Sequence, residues 1–183
     1  MKSLNLFKER ENVNSPALYW VGVLVGILVV FIFIFLLHGS SNVDLPSEYS
    51  AKDIFSDQTV SLHNYHGSAV VVMSWATWCM DCKEELAALE RLWVSEQERG
   101  LIVIAVNLDS IKANERIKSM VTQYELTYPV WRDPENTFYS TFNAPGIPTT
   151  VLLDKQGTVL RAWVGPVDFN DAKVKLEIER AME

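Results

Sequence analysis

Residues 69–86 read AVVVMSWATWCMDCKEEL, and a change of period inside them decides the fold. Ala69-Val70-Val71-Val72-Met73 is an unbroken apolar run set off by Gly67-Ser68, the pattern of a strand buried on both faces. From Cys79 the period becomes helical. Cys82, Leu86, Leu89 and Trp93 recur at spacings of four, three and four, one stripe of a helix that Gly100 ends. Cys79 and Cys82, the only two cysteines of the chain, sit where strand passes into helix.

Working outward, Leu101 to Val106 (LIVIAV) reads as a second buried strand. Ile117, Met120, Val121 and Tyr124 mark a second helix at i, i+3, i+4 and i+7. Thr149–Leu153 and Thr158–Val164 flank Asp154-Lys155-Gln156-Gly157, a hairpin turn, and a last amphipathic helix is expected from about Asp168 to Met182. Upstream, Thr59-Val60-Ser61-Leu62 alternates like a short edge strand. The expected order is β, β, α, β, α, β, β, α. Alternation requires parallel neighbours with crossover helices, and the late hairpin adds an antiparallel edge. The fold class is α/β with a mixed central sheet flanked by helices.

Two residues between cysteines bring both sulfurs onto one helical turn, where unpaired N–H groups favour a thiolate. The first cysteine is then at the exposed tip and able to attack. The second lies on the apolar stripe, half-shielded, placed to resolve a mixed disulfide. A zinc site is disfavoured, because His38, His63 and His66 are the only histidines and none has a paired ligand spacing. A purely structural disulfide would close too short a loop to constrain the unfolded chain. Gly146-Ile147-Pro148-Thr149 opens the third buried strand; Pro148 fits a strand start, or a cis bond that leaves the Ile147 backbone free for a substrate peptide. Glu85 lies three residues after Cys82 and borders the stripe, so a partly buried carboxyl able to pass protons to Cys82 is expected. Asp81, between the sulfurs, should oppose thiolate formation. Asp57, His63 and His66 read as surface residues, and Trp131, Phe138 and Trp163 as packing residues.

From about Asp53 to the C-terminus the chain resembles the TlpA/ResA-like, membrane-anchored members of the thioredoxin superfamily. The resemblance rests on WATWCMDCKEEL (75–86), LIVIAVNLD (101–109), YPVWRD (128–133) and GIPTTVLLDKQG (146–157). It implies a thioredoxin-like fold and a protein-disulfide reductase with Cys79 as nucleophile and Cys82 as resolving cysteine. It further implies a cis-proline at Pro148, client contacts at Trp78, Ile147 and Pro148, and a functional glutamate at Glu85, as in relatives that serve cytochrome c maturation. Several positions depart from the pattern. Met80-Asp81 stands where relatives usually have proline second, which bears on redox tuning. Ala87 replaces a helix-kinking proline, and Met73 occupies the place of the buried aspartate of thioredoxins.

Ala17–Leu37 is 21 positions without a charge, about 31 Å as a helix and close to bilayer thickness. A cleaved signal peptide would carry a shorter run and a small-x-small site. Lys2, Lys8 and Arg10 precede the run and no Lys or Arg follows until Lys52, so the N-terminus is expected in the cytoplasm. The expected layout is a cytoplasmic segment 1–16, a transmembrane anchor 17–37, a tether 38–52 and a periplasmic thioredoxin-like domain 53–183 on the inner membrane. From Ser41 onward, 13 Lys and Arg against 21 Asp and Glu leave −8, which argues against nucleic acid as a partner. The expected partners are client proteins, an upstream membrane electron donor and the bilayer; no cofactor or metal is called for. Two other readings use related features. Sco-like copper delivery uses CxxxC and a distant histidine, whereas no histidine follows Cys82; a disulfide oxidase would use the same site. Ala76, three residues before Cys79, disfavours a peroxidase, which needs Thr or Ser there.

Overall fold

The structure, a computed structural model, describes residues 16–37 and 46–183, with side chains of the first helix described for 20–30. Two compact units are present, residues 1–43 and 44–183. In the first, helix α1 spans Pro16–Leu37, 22 residues. Among the described residues no helix is long and apolar enough to cross a membrane. Most of the segment 1–16, and 38–45 of the expected tether, lie outside the described residues.

The second unit is built on a seven-stranded sheet of order β2-β1-β5-β4-β3-β6-β7. Its strands are β1 Ser50–Asp53, β2 Thr59–Ser61, β3 Ala69–Trp75, β4 Leu101–Asn107, β5 Val130–Arg132, β6 Thr149–Leu153 and β7 Val159–Val164. Helices α2 Met80–Glu96, α3 Asn114–Gln123, α4 Thr137–Phe142 and α5 Ala172–Met182 connect or flank them. The apolar run at 69–73 forms β3, buried along its whole length. It pairs in parallel with β4 from Ala69↔Leu101 to Trp75↔Asn107 and antiparallel with β6 from Val70↔Leu153 to Ser74↔Thr149. β5 extends the parallel centre, and β1, β2 and β7 add antiparallel edges.

Alternation along β3 separates two cores, as the two-residue period of a strand requires. Val71, Met73 and Trp75 pack with Cys82, Leu86 and Leu89 of α2, Ile117 and Val121 of α3, and Ile178 of α5. Val70 and Val72 face the other way, with Trp131, Phe138 and Phe142. The stripe read from Cys82 to Trp93 is therefore the core face of α2, and fully buried leucines such as Leu86 and Leu89 contribute about 1.5–3 kcal/mol each. Gly100 ends the segment with φ 93°, a conformation that favours glycine.

Three differences from the sequence reading concern short elements. The first strand is β1, inside the stretch read as tether: Tyr49 is buried, and Lys52 and Asp53 pair with Arg132 and Trp131 of β5. A polar stretch of a few residues gives little periodicity, and the burial of Tyr49 is tertiary. The strand β5 and helix α4 are likewise too short to announce a period. The last helix begins at Ala172, four residues later than expected, because the Asp171 carboxylate caps it by accepting from the N–H groups of Lys173 and Val174. The hairpin turn at 154–157 forms as read, closed by the Gly157 N–H donating to the Asp154 carbonyl at 2.9 Å, with Gly157 at φ 78°.

Tyr49 fastens the start of the domain. Its ring meets Trp131, Phe138 and Phe142 with centroids 6.4, 5.8 and 5.4 Å away. Its hydroxyl donates to Asp133 Oδ2 at 3.0 Å; the same oxygen accepts from the Phe138 N–H at 2.8 Å. Burial first, and then the Asp133 carboxylate, push the phenol above its usual range. Tyr49→Phe should therefore lower stability by about 1–3 kcal/mol, read as a lower urea midpoint at unchanged slope. Tyr49→Ala, which empties the aromatic cage as well, should cost about 3–5 kcal/mol.

Candidate active site

At the C-terminal end of β3 the chain turns through Ala76-Thr77-Trp78, and the Cys79 N–H donates to the Ala76 carbonyl at 3.0 Å. Cys79 is the N-cap of α2, with φ −80° and ψ 112°. Its Sγ accepts from the Cys82 N–H at 3.2 Å, so the helix N-terminus supplies the donor expected of it. Cys79 and Cys82 form a disulfide with Cα atoms 5.4 Å apart. Cys82 is fully buried and Cys79 is 7% exposed. The expected asymmetry between the sulfurs is present, but Cys79 is not an open tip. The exposed groups are its neighbours Trp78 and Met80, at 68% and 71%. Asp81 is exposed in the first turn of α2, where a negative charge suits the helix end. Lys83 Nζ donates to Met80 Sδ at 3.5 Å.

Glu85 follows Cys82 by three residues on α2 and is 3% exposed. Its Oε1 accepts from Thr150 Oγ1 at 2.6 Å, and the backbone of Val167 also bonds the carboxyl. Burial raises the carboxyl from 4.5 to about 7, against the lowering effect of the hydrogen bonds from Thr150 and the Val167 backbone. Thr150 pairs in register with Met73, so the glutamate reaches from the helix toward the strand position where thioredoxins place an aspartate. Thr150 escaped the sequence reading; its only signal was a second threonine beside Thr149 at the start of the run TTVLL (149–153).

The Ile147–Pro148 bond is cis. Pro148 is buried and Ile147 half-buried. The carbonyl of Pro148 accepts from the Gly165 N–H at 2.9 Å, and Thr149 N donates to Ser74 Oγ at 3.1 Å. Since Ser74 pairs with Thr149, Pro148 falls opposite Trp75, at the end of the sheet that carries the dithiol. Cysteines, glutamate and proline, 69 residues apart in sequence from Cys79 to Pro148, thus converge on one end of the central strands. His63 and His66 lie elsewhere, on an exposed turn after β2, and Asp57 pairs with Arg132. Among the described residues no three His, Cys, Asp or Glu side chains gather as a metal ion would need.

A redox-active Cys-x-x-Cys pair at a strand–helix junction of a thioredoxin-like fold makes this a thiol–disulfide oxidoreductase. The chain belongs to the AhpC/TSA family, whose model matches residues 44–162. It is 30% identical over 172 residues to the thioredoxin-like protein YneN of Bacillus subtilis, covering 85% of this chain and 97% of that one. The thiol-disulfide oxidoreductase ResA of Geobacillus thermodenitrificans is 30% identical over 116 residues, covering 63% of this chain and 66% of its own length. A Chlorobium tepidum protein assigned as the thiol:disulfide interchange protein DsbE shares the fold with TM-score 0.66 at 24% identity, over 74% of this chain and 93% of its own.

The raised value at Glu85 has a consequence for stability. Below about pH 4.5 the carboxyl is protonated both folded and unfolded; as pH rises through about 7 the folded state increasingly bears the cost of the buried charge. Glu85→Gln should therefore melt higher than the parent near pH 8, by on the order of 3 kcal/mol, and alike near pH 4. An offset independent of pH would assign the effect to packing.

Proposed function

We propose that this chain is a membrane-anchored reductase of disulfides in exported proteins, apocytochrome c among the candidate clients. The observation that carries the reading is the dithiol at the N-terminus of α2 with the buried Glu85 carboxyl on the same helix. In the proposed cycle the Cys79 thiolate attacks a client disulfide, forming a mixed disulfide and releasing one client thiolate. Cys82 then attacks Cys79 Sγ, closing the 79–82 disulfide and freeing the second client sulfur, so two electrons pass to the client. Glu85 takes the proton that Cys82 gives up, and the client thiolates take protons from solvent. Trp78, Ile147 and Pro148 form the client platform. Met80 and Asp81 tune the couple, the Asp81 charge opposing the thiolate and favouring a more reducing dithiol. An upstream membrane dithiol restores the reduced form.

Support for the anchor is the uncharged run 17–37, which α1 follows as continuous helix, and the Lys and Arg before it. On this reading the segment 1–16 is cytoplasmic, and the domain that begins near Tyr49 is periplasmic. A reporter active only outside the cytoplasm, fused after Glu183, should be active; activity of a cytoplasmic reporter alone would overturn the location and the client class.

Roles of the sulfurs are tested by trapping. Cys82→Ser should accumulate mixed disulfides through Cys79, and Cys79→Ser few or none. Equal trapping by both would refute the assignment. A reduction potential near or below about −250 mV supports the reductase, and one near about −120 mV an oxidase.

A further inference from the structure

Beside the dithiol lies a carboxylate that the proposed cycle does not use. Asp109 follows β4 and is 6% exposed. Its Oδ2 accepts from the Thr77 N–H at 2.7 Å and from Asn107 Nδ2 at 2.9 Å; its Oδ1 accepts from Thr77 Oγ1 at 3.2 Å. The Asp109 N–H in turn donates to Asn107 Oδ1 at 2.9 Å, and Arg116 Nη2 stands 4.0 Å from Oδ1. Asn107 is fully buried. The neighbouring Leu108 N–H donates to the Trp75 carbonyl at 2.9 Å, so the ends of β3 and β4 are joined at this point.

Thr77 is the central residue of the turn 76–78, two positions before Cys79. One carboxylate holds both its backbone N–H and its hydroxyl, and bonds to a charged acceptor are about twice as strong as neutral ones. The other fixed point of the turn is the bond from the Cys79 N–H to the Ala76 carbonyl. We propose that Asp109 is a positioning residue for the dithiol: by clamping Thr77 it holds Cys79 Sγ at the N-terminus of α2, within reach of the Cys82 N–H. The inference rests on the reading of Cys79 as the attacking sulfur. A thiolate in that position is stabilised by the helix end, and a turn released from Asp109 lets the sulfur leave it. The side chain of asparagine can fill the same role. Its carbonyl would accept from Thr77 N and Asn107 Nδ2, and its amide would donate to Thr77 Oγ1. Alanine leaves three buried donors, Thr77 N–H, Thr77 Oγ1 and Asn107 Nδ2, without this acceptor.

The test uses the full chain, reduced, with iodoacetamide at neutral pH, peptide mass analysis to locate the label, and the reduction potential against glutathione. Asp109→Ala should alkylate Cys79 about tenfold more slowly and shift the couple to a more reducing potential, while Asp109→Asn stays within about threefold of the parent. Parental rate and potential in the alanine variant would overturn the proposal. So would an asparagine variant as slow as alanine, because charge and not the held turn would then be responsible. Should Asp109→Ala not fold, Thr77→Val removes the hydroxyl bond alone and should slow alkylation by about two- to fivefold; an unchanged rate overturns the proposal. If the parent is labelled first at Cys82, the nucleophile assignment fails and takes this inference with it; a Cys79 label at equal rate in all variants sinks this inference alone.

Discussion

β3 has no face in water. All seven of its residues are buried, between two strands within the sheet and between a core on each side. That constraint places every other part of the site. Because β3 is central and parallel to β4, the connection between them must cross over the sheet, and α2 is that crossover. Because α2 starts at the strand's C-terminal end, its unpaired N–H groups open there, and Cys79 caps them. Because β6 runs antiparallel on the other side, its first residues return to the same end and bring Ile147 and Pro148 opposite Trp75. A charged residue at Val71 or Val72 would have no water and no partner, and loss of β3 would remove the frame of the site along with the core.

Burial also explains where the carboxyl had to come from. Met73 fills its site with an apolar side chain, so the strand contributes no proton acceptor beneath the cysteines. Glu85 approaches from the helix, held by the Thr150 hydroxyl and the Val167 backbone. A fully solvated glutamate would be ionised at neutral pH, and a fully apolar pocket would keep it protonated well above. The Thr150 hydroxyl moderates the desolvation and leaves the group near 7, where it can both hold and release a proton.

The sequence revealed the parts of this molecule whose pattern is long or whose chemistry is rare. β3, β4 and the core face of α2 announced themselves through unbroken apolar runs and the Cys82–Trp93 stripe. The cysteine pair at the strand–helix junction and the proline at the start of a buried strand were legible, and the depth of Glu85 followed from its place beside Leu86 and Leu89. What stayed hidden was set by contacts between distant residues. Tyr49 lies in a polar stretch, and only the ring cage of Trp131, Phe138 and Phe142 shows why it is buried. Thr150 and Asp109 each look ordinary in their own segment; their meaning comes from partners 65 and 32 positions away. That Cys79 is more deeply covered than an exposed tip would be stayed hidden too, because the helical stripe locates Cys82 but says nothing of what surrounds its neighbour.

That close cover has a mechanistic implication for the proposed cycle. With Cys82 fully buried and Cys79 only 7% exposed in the disulfide, an incoming thiolate has one sulfur to attack. In the proposed cycle a donor would therefore enter at Cys79, the same sulfur that would attack a client in the reduced state. Donor and client share a single entrance, flanked by Trp78 and Met80, and cannot occupy it together. Discrimination between them must then come from the redox state of the dithiol, which decides whether the entrance presents a disulfide to a reductant or a thiolate to a client disulfide. A site with one accessible sulfur thus imposes alternation on its two partners by geometry, without a second binding surface.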